Sequence, residues 1–207
     1  KASEEPKALN EEIDFILKNA GKYMSVKPKR DDIKSVFAGL RPLAATSNKQ
    51  STKEVSRSHK IDISPSGLIS VLGGKWTTYR KIAEDALNTA ISINKLKKKK
   101  CKTERTKLFG FKRNVSWSDP MHVYGSMKKK VESLGGINDN KSLSKKFYIS
   151  NNIIEWSIIH EMALTVEDIL ARRTRCVFLD SKESKRISPV VAQKMADVLG
   201  EDDKWID

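Results

Sequence analysis

Apolar positions recur along the chain with two different textures. Up to about residue 96, alternating runs are interleaved with helical stripes, and beyond that point helical spacing dominates. Leu9, Ile13, Ile16, Leu17 and Ala20 recur at helical intervals. They predict a helix in the first ~25 residues, with Asn10 as cap, Glu11 and Glu12 at its positive end and Gly21 as stop. Pro28 breaks the chain, and residues 33–43 read as extended, with Pro42 holding Arg41 out of the helical region. In that segment Phe37, Gly39 and Arg41 share one face. A polar loop over 44–53 leads to a hairpin. Val55, Arg57, His59, Ile61 and Ile63 alternate with Ser56, Ser58, Lys60 and Asp62 as in a half-buried strand, and Ser64-Pro65-Ser66-Gly67 supplies the turn. Residues 68–72 are almost continuously apolar, the pattern of a strand covered on both faces. Gly73-Gly74 then leads into a helix over about 77–96, with Ile82, Ala83, Ala86, Leu87, Ala90 and Ile91 as its buried stripe.

In the second half, Asp119-Pro120 reads as a cap followed by a first-turn proline, and Gly135-Gly136 with the Asn-rich stretch to Asn140 as a loop. The strongest periodicity spans 152–173, through Ile154, Ile158, Ile159, Met162, Val166, Ile169 and Leu170, with Asn152 and Glu155 as a capping-box pair. Ser188-Pro189 is expected to open a last helix that carries Val191, Ala192, Met195, Val198 and Leu199 and closes at Gly200. The fold class expected is α+β, mainly helical. Residues 1–96 form a mixed region with a β-hairpin and helices, 97–107 a linker, and 108–207 an all-α domain.

Composition sharpens this picture at one place. The chain has 207 residues, 38% of them hydrophobic, and a formal net charge of +14. Residues 95–113 hold ten Lys and Arg against the single acid Glu104, so that segment contributes +9 and leaves +5 for the rest. The plainer reading of this tract is a solvated tether; the alternative is a patch for nucleic acid or anionic lipid. No run approaches the roughly 20 apolar residues of a membrane span, and no secretory apolar segment opens the chain, so neither a spanning nor an exported chain is expected. Cys101 and Cys176 show no metal-ligand spacing and no disulfide framework, which suits a reducing compartment. A chain that opens on Lys1 is expected to be an interior piece of a longer one.

The segment Gly73-Gly74-Lys75-Trp76-Thr77-Thr78-Tyr79-Arg80 concentrates the candidate chemistry. A buried strand, two glycines and a helix start bring bare backbone N–H groups up to a ligand, and the flanking Lys75 and Arg80 suit an anion or a carbonyl oxygen. An ordinary strand-to-helix turn with a threonine cap satisfies the same spacing. Arg57 shares a strand face with Val55, Ile61 and Ile63, where a guanidinium needs an anionic partner. Arg41 repeats the theme. Together with Lys75 the two arginines suit a phosphate or carboxylate, although each could instead snorkel or pair within the fold. His59 is a candidate base or a structural histidine. The sequence arranges no metal constellation.

Three ordered stretches carry a family resemblance: residues 38–43 (AGLRPL), 55–59 (VSRSH) and 73–86 (GGKWTTYRKIAEDA). They closely resemble the C-terminal half of the FAD-dependent glycerol-3-phosphate dehydrogenases, and residues 161–175 look like that family's C-terminal helical domain. The resemblance implies oxidation of sn-glycerol 3-phosphate to dihydroxyacetone phosphate, with electrons passed through FAD to a quinone or to oxygen. It implies that Arg41 and Arg57 are active-site arginines that also bind substrate, and that Lys75 and Thr77 contact substrate. It further implies that Gly73, Gly74, Lys75, Trp76, Thr77 and Thr78 line the flavin. The chain has no Gly-x-Gly-x-x-Gly after a strand, so the ADP-binding half of the flavin site is absent from it, and the chain alone is not expected to hold FAD or turn over. A cytoplasmic protein is expected, with peripheral contact on the inner face of a membrane and a homodimer left open. The rival class is a non-catalytic helical docking or dimerisation module whose basic tract binds nucleic acid or anionic lipid. A third reading is another flavoprotein of the amino-acid-oxidase type.

Overall fold

The computed structural model describes residues 3–40 and 59–206. Its order is helix α1 (Asn10–Ala20), strands β1 (His59–Ile63) and β2 (Ile69–Gly73), helix α2 (Tyr79–Ile93), and then short and long helices α3 (Lys128–Glu132), α4 (Asn151–Glu161), α5 (Cys176–Leu179), α6 (Ser181–Leu199) and α7 (Asp203–Ile206). The expected α+β, mainly helical class is what forms. None of the described helices is long and apolar enough to cross a membrane.

The chain divides into two compact units, one of Lys1–Gly39 with Phe109–Asp207 and the other of Leu40–Leu108. Residues 1–39 therefore group with the helical part, whereas the sequence pattern groups them with 40–96. The physical ties are local. The Ser181 backbone N–H (3.0 Å) and hydroxyl (2.9 Å) both donate to the Lys34 carbonyl, and Phe37 packs edge-on against Phe178 at 4.7 Å. Residues 33–40 form no helix and join no ladder; Ile33 itself is extended.

In the larger unit the core is built around α4. Ile153 and Trp156 face one cluster with Met121 and Val131, while Ile154 faces another with Ile169, Ile187, Val191 and Met195. A helix apolar on both sides must be sandwiched. Its cap is Ser150, whose hydroxyl accepts from the Ile153 N–H at 3.4 Å, and not Asn152. Glu155 is drawn instead to Lys194 of α6 at 2.9 Å.

The periodicity over 152–173 does not make one helix. Met162 turns left-handed (φ 57°) and ends α4, and residues 168–173 form a separate π-helical segment. Thr165 and Asp168 reciprocally cap the helical turn at 166–167 that leads into it: the Thr165 hydroxyl accepts from the Asp168 N–H at 3.1 Å, and the Asp168 carboxylate accepts from the Thr165 N–H at 3.0 Å. The Arg173 guanidinium returns to donate to the Glu161 carbonyl, so the broken end of α4 is satisfied (Nε–O 2.8 Å).

The last long helix also starts earlier than its proline suggests. Asp180 caps α6 by accepting from the Glu183 N–H at 2.9 Å, and Pro189 lies inside the helix. A proline there frees the carbonyl four residues back, and the Ser188 hydroxyl takes it up, donating to Lys185 O at 2.9 Å. Asp119 caps the 3-10 stretch from Pro120, and Gly200 (φ 75°) stops α6, both as the sequence predicts.

In the smaller unit β1 and β2 pair antiparallel, with His59 opposite Gly73 and Ile63 opposite Ile69. The Ser64–Gly67 turn closes them, as the sequence predicts, with Gly67 N–H donating to Ser64 O at 2.9 Å. The double coverage read from residues 68–72 is not present. Leu68 is 66% and Leu72 45% exposed, because the described sheet has only two strands and α2 reaches one part of it.

Candidate functional site

The turn that ends β2 positions the candidate residues. Gly73 (φ 70°) and Gly74 (φ 90°) both take backbone angles that an L side chain resists. A Cβ on Gly74 would stand 2.6 Å from Ile82 Cδ1 and 3.3 Å from His59 Cβ, so the backbone is pressed between helix and strand where a side chain has no room. Residues 76–78 form a single 3-10 turn, and α2 follows. No described side chain caps either element. Thr78, expected as a cap, donates its hydroxyl backward to Lys75 O at 2.9 Å, and its N–H goes to the same carbonyl. The N–H groups of Trp76 and Thr77, at the positive end of the helix dipole, are therefore left without an intrahelical acceptor.

The surface around this turn is an open hollow of about 400 Å³, lined by Val71, Gly73, Gly74, Lys75, Trp76, Tyr79, Ile82, Ala83 and Ala86. Trp76 stacks on Tyr79 with ring centroids 5.4 Å apart and forms an exposed aromatic wall. Lys75 and Thr77 are exposed beside it. An apolar floor, a planar wall, uncapped N–H groups and one ammonium suit a flat heteroaromatic ring with an electron-rich edge.

Two neighbouring polar side chains are committed elsewhere. Arg80 donates to Glu84 at 2.7 Å and to Thr103 at 3.3 Å, so it braces α2 rather than the turn. His59 Nε2 meets Asp85 Oδ2 at 3.1 Å, and Lys81 meets the other oxygen of Asp85 at 2.8 Å. The Lys81 ammonium, and then His59, hold the Asp85 carboxyl below the usual carboxylate range.

Gly73, Gly74, Lys75, Trp76, Thr77 and Thr78 are thus gathered in one turn. Arg41 and Arg57 lie outside the described residues. Tyr79 and Ile82 line the hollow in addition to the sequence-predicted residues, and Tyr79 sits three residues after Trp76, the interval at which helical neighbours meet. Among the described residues, no three His, Cys, Asp or Glu side chains gather in a group able to hold a metal ion.

Residues 69–205 match the family model described as the C-terminal domain of alpha-glycerophosphate oxidase. The chain belongs to this family. Among its curated relatives, the mitochondrial glycerol-3-phosphate dehydrogenase of Bos taurus is 32% identical over 224 residues, covering 96% of this chain and 30% of that protein. The human enzyme of the same name is 31% identical, with the same coverage. A probable mitochondrial glycerol-3-phosphate dehydrogenase of Dictyostelium discoideum is 32% identical over 98% of this chain and 35% of its own length. The chain thus spans about a third of the relatives it matches. Their names also correct the cytoplasmic expectation, since all three are named as mitochondrial proteins.

Proposed function

We propose that this chain is the C-terminal portion of an FAD-dependent oxidoreductase that oxidises sn-glycerol 3-phosphate to dihydroxyacetone phosphate and passes the electrons to a quinone or to oxygen. The single observation that carries the reading is the uncapped Gly73–Thr78 turn beside Lys75 and a stacked Trp76–Tyr79 wall, in a chain of this family. The residues present fit a flavin: the turn excludes side chains where a ring must approach closely, and its free N–H groups suit a pyrimidine carbonyl. When bound, FAD supplies the acceptor for the hydride from C2 of the substrate. The chain's own part is to bind and to stabilise charge. The Trp76 and Thr77 N–H groups and the dipole of α2 favour negative charge on the reduced ring. Lys75 and Thr77 reach toward the substrate, and Arg41 and Arg57 hold its phosphate and polarise its C2 oxygen.

Chain connectivity supports Arg57 in this role. In the sequence it stands two residues before His59, the strand position opposite Gly73. The exposed apolar face of β2 is covered, in this reading, by the part of the relatives' length that the present chain does not span, and the chain alone neither retains FAD nor turns over.

The test uses the full-length enzyme. Arg57→Ala is expected to lower kcat/KM for glycerol 3-phosphate by roughly 10- to 100-fold, the loss of one charge-assisted contact. Arg57→Lys is expected to recover only part of that, since it keeps the charge without the fork. An unchanged kcat/KM would take Arg57 out of the site. The exposed run Lys97–Lys100 is the observation behind the rival docking module. Heparin retention that disappears when those lysines are neutralised, in an enzyme indifferent to Lys75→Met, would favour the rival.

A further inference from the structure

We propose that His59 and Asp85 form a positioning clamp that holds the Gly73–Thr78 turn at its working distance from the flavin, and so sets how tightly FAD is held and how far its reduced form is favoured. The inference rests on the flavin reading of that turn. Three observations carry it. First, His59 is paired with Gly73 at the end of the ladder, so its side chain springs from the strand position next to the turn. Second, that side chain crosses to α2 and closes on Asp85 at 3.1 Å, with both groups half-buried (21% and 29% exposed). An ionised carboxylate only accepts, so Nε2 carries the proton. The second oxygen of Asp85 is held by Lys81 at 2.8 Å on the same helix, which fixes the direction the carboxylate faces. Third, the turn is caught between these two elements. A Cβ on Gly74 would meet Ile82 of α2 on one side and His59 on the other.

The clamp matters because, among the described residues, little else holds α2 on the hairpin. No residue of α2 is fully buried, and Leu87, read as part of its inner stripe, is 63% exposed. Where apolar packing is thin, one oriented polar contact decides the spacing of strand and helix. Among the described residues, the turn itself contributes internal bonds, from the Thr78 N–H and hydroxyl to Lys75 O and from the Tyr79 N–H to Trp76 O. A small outward shift of α2 would carry the Trp76 and Thr77 N–H groups with it, and a misplacement of about 1 Å at such a site is costly.

The test is made on the full-length flavoenzyme, with bound flavin and its midpoint potential as readouts beside turnover. His59→Ala is expected to raise the FAD dissociation constant about tenfold. It should also weaken the preference for reduced flavin about tenfold, a downward shift of about 30 mV for a two-electron couple. His59→Gln, which keeps a donor in reach of Asp85, should restore most of both and guards against a result that reflects misfolding alone. Asp85→Ala should match His59→Ala, and the double variant should add little to either. A His59→Ala enzyme that melts earlier but keeps wild-type FAD affinity and potential would overturn the clamp and leave His59 a stabilising residue only. If the wild-type enzyme bound no flavin at all, the functional reading itself would fail, a result separate from any effect of His59.

Discussion

The helical region and the hairpin–helix region use apolar residues of the same kinds and bury them very differently. Among the described residues, every fully buried apolar side chain lies between Met121 and Ala196, with Ile149, Ile154, Ile169 and Val191 at 0% exposure. In the hairpin and α2, Leu68, Val71, Leu72 and Leu87 all remain exposed. The helical region closes on itself because α4 is sandwiched between two clusters. A two-stranded sheet with one helix cannot do so, since such a sheet has two faces and α2 meets only part of one. Self-sufficiency and chemistry are therefore segregated: the part that packs carries stability, and the part left open carries the candidate site.

The largest effect expected from this contrast is in the helical core. Ile154→Ala should lower the unfolding free energy by about 2–5 kcal/mol, the cost of a cavity at a site with no freedom to collapse. Urea titration should show a lower midpoint with an unchanged slope. The matching change outside the core, Leu87→Ala, should stay within about 0.5 kcal/mol in this chain, because most of that side chain is already in water. Equal losses at the two positions would break the comparison.

A smaller effect, but one aimed at the site, is expected from Gly74→Ala. The substitution brings a positive φ that costs about 1 kcal/mol or more for a non-glycine residue, and a Cβ lying 2.6 Å from Ile82 Cδ1. Ile82, which lines the hollow, must shift to admit it. In the full-length enzyme the expected result is loss of bound flavin out of proportion to any fall in melting temperature, checked by absorbance of the purified protein against its unfolding curve. A variant with full flavin content would show that the turn tolerates displacement.

What could be read from sequence divides along the same line, for physical reasons. The hairpin turn, the Gly73–Gly74 approach, the Asp119 cap and the Gly200 stop are set by residues adjacent in the chain, and they are legible there. The break at Met162 is not legible from periodicity, because Ile158, Val166 and Ile169 keep helical spacing straight across it. It is written in a second code, the reciprocal Thr165–Asp168 cap, which a T-x-x-D reading could have found. The Asp180–Glu183 spacing marks the start of α6 in the same way, whereas Pro189 points to a boundary eight residues further along. Of the candidate site, the turn is legible and the His59–Asp85 contact is not. His59 and Asp85 lie 26 positions apart on different elements, and nothing in either local pattern announces the other. The coverage read into residues 68–72 is not found among the described residues, because a run of apolar side chains records their apolarity and names no segment to cover them.

The smallest effect expected is electrostatic and returns to the helical region. Glu183, at the start of α6, accepts from Arg186 at 2.7 Å and from the Ser144 hydroxyl at 2.6 Å, and these contacts, Arg186 first, pull its carboxyl down to about 2. A carboxyl depressed in the folded state favours folding wherever the unfolded chain is also ionised. Its contribution is therefore complete above the ordinary glutamate range and is lost as pH falls through that range toward 2. The denaturation midpoints of the wild type and Glu183→Gln should accordingly differ at pH 6, draw together as pH falls below the ordinary glutamate range, and converge only as it passes below about 2. The effect stays modest because Arg186 is 61% exposed, so water and salt screen the pair. Added salt should narrow the pH 6 difference, yet not abolish it, since the Ser144 bond is buried and carries no second charge. A gap that is independent of pH would assign the role of Glu183 to packing at the head of α6, and the closed region would then owe its stability to shape alone.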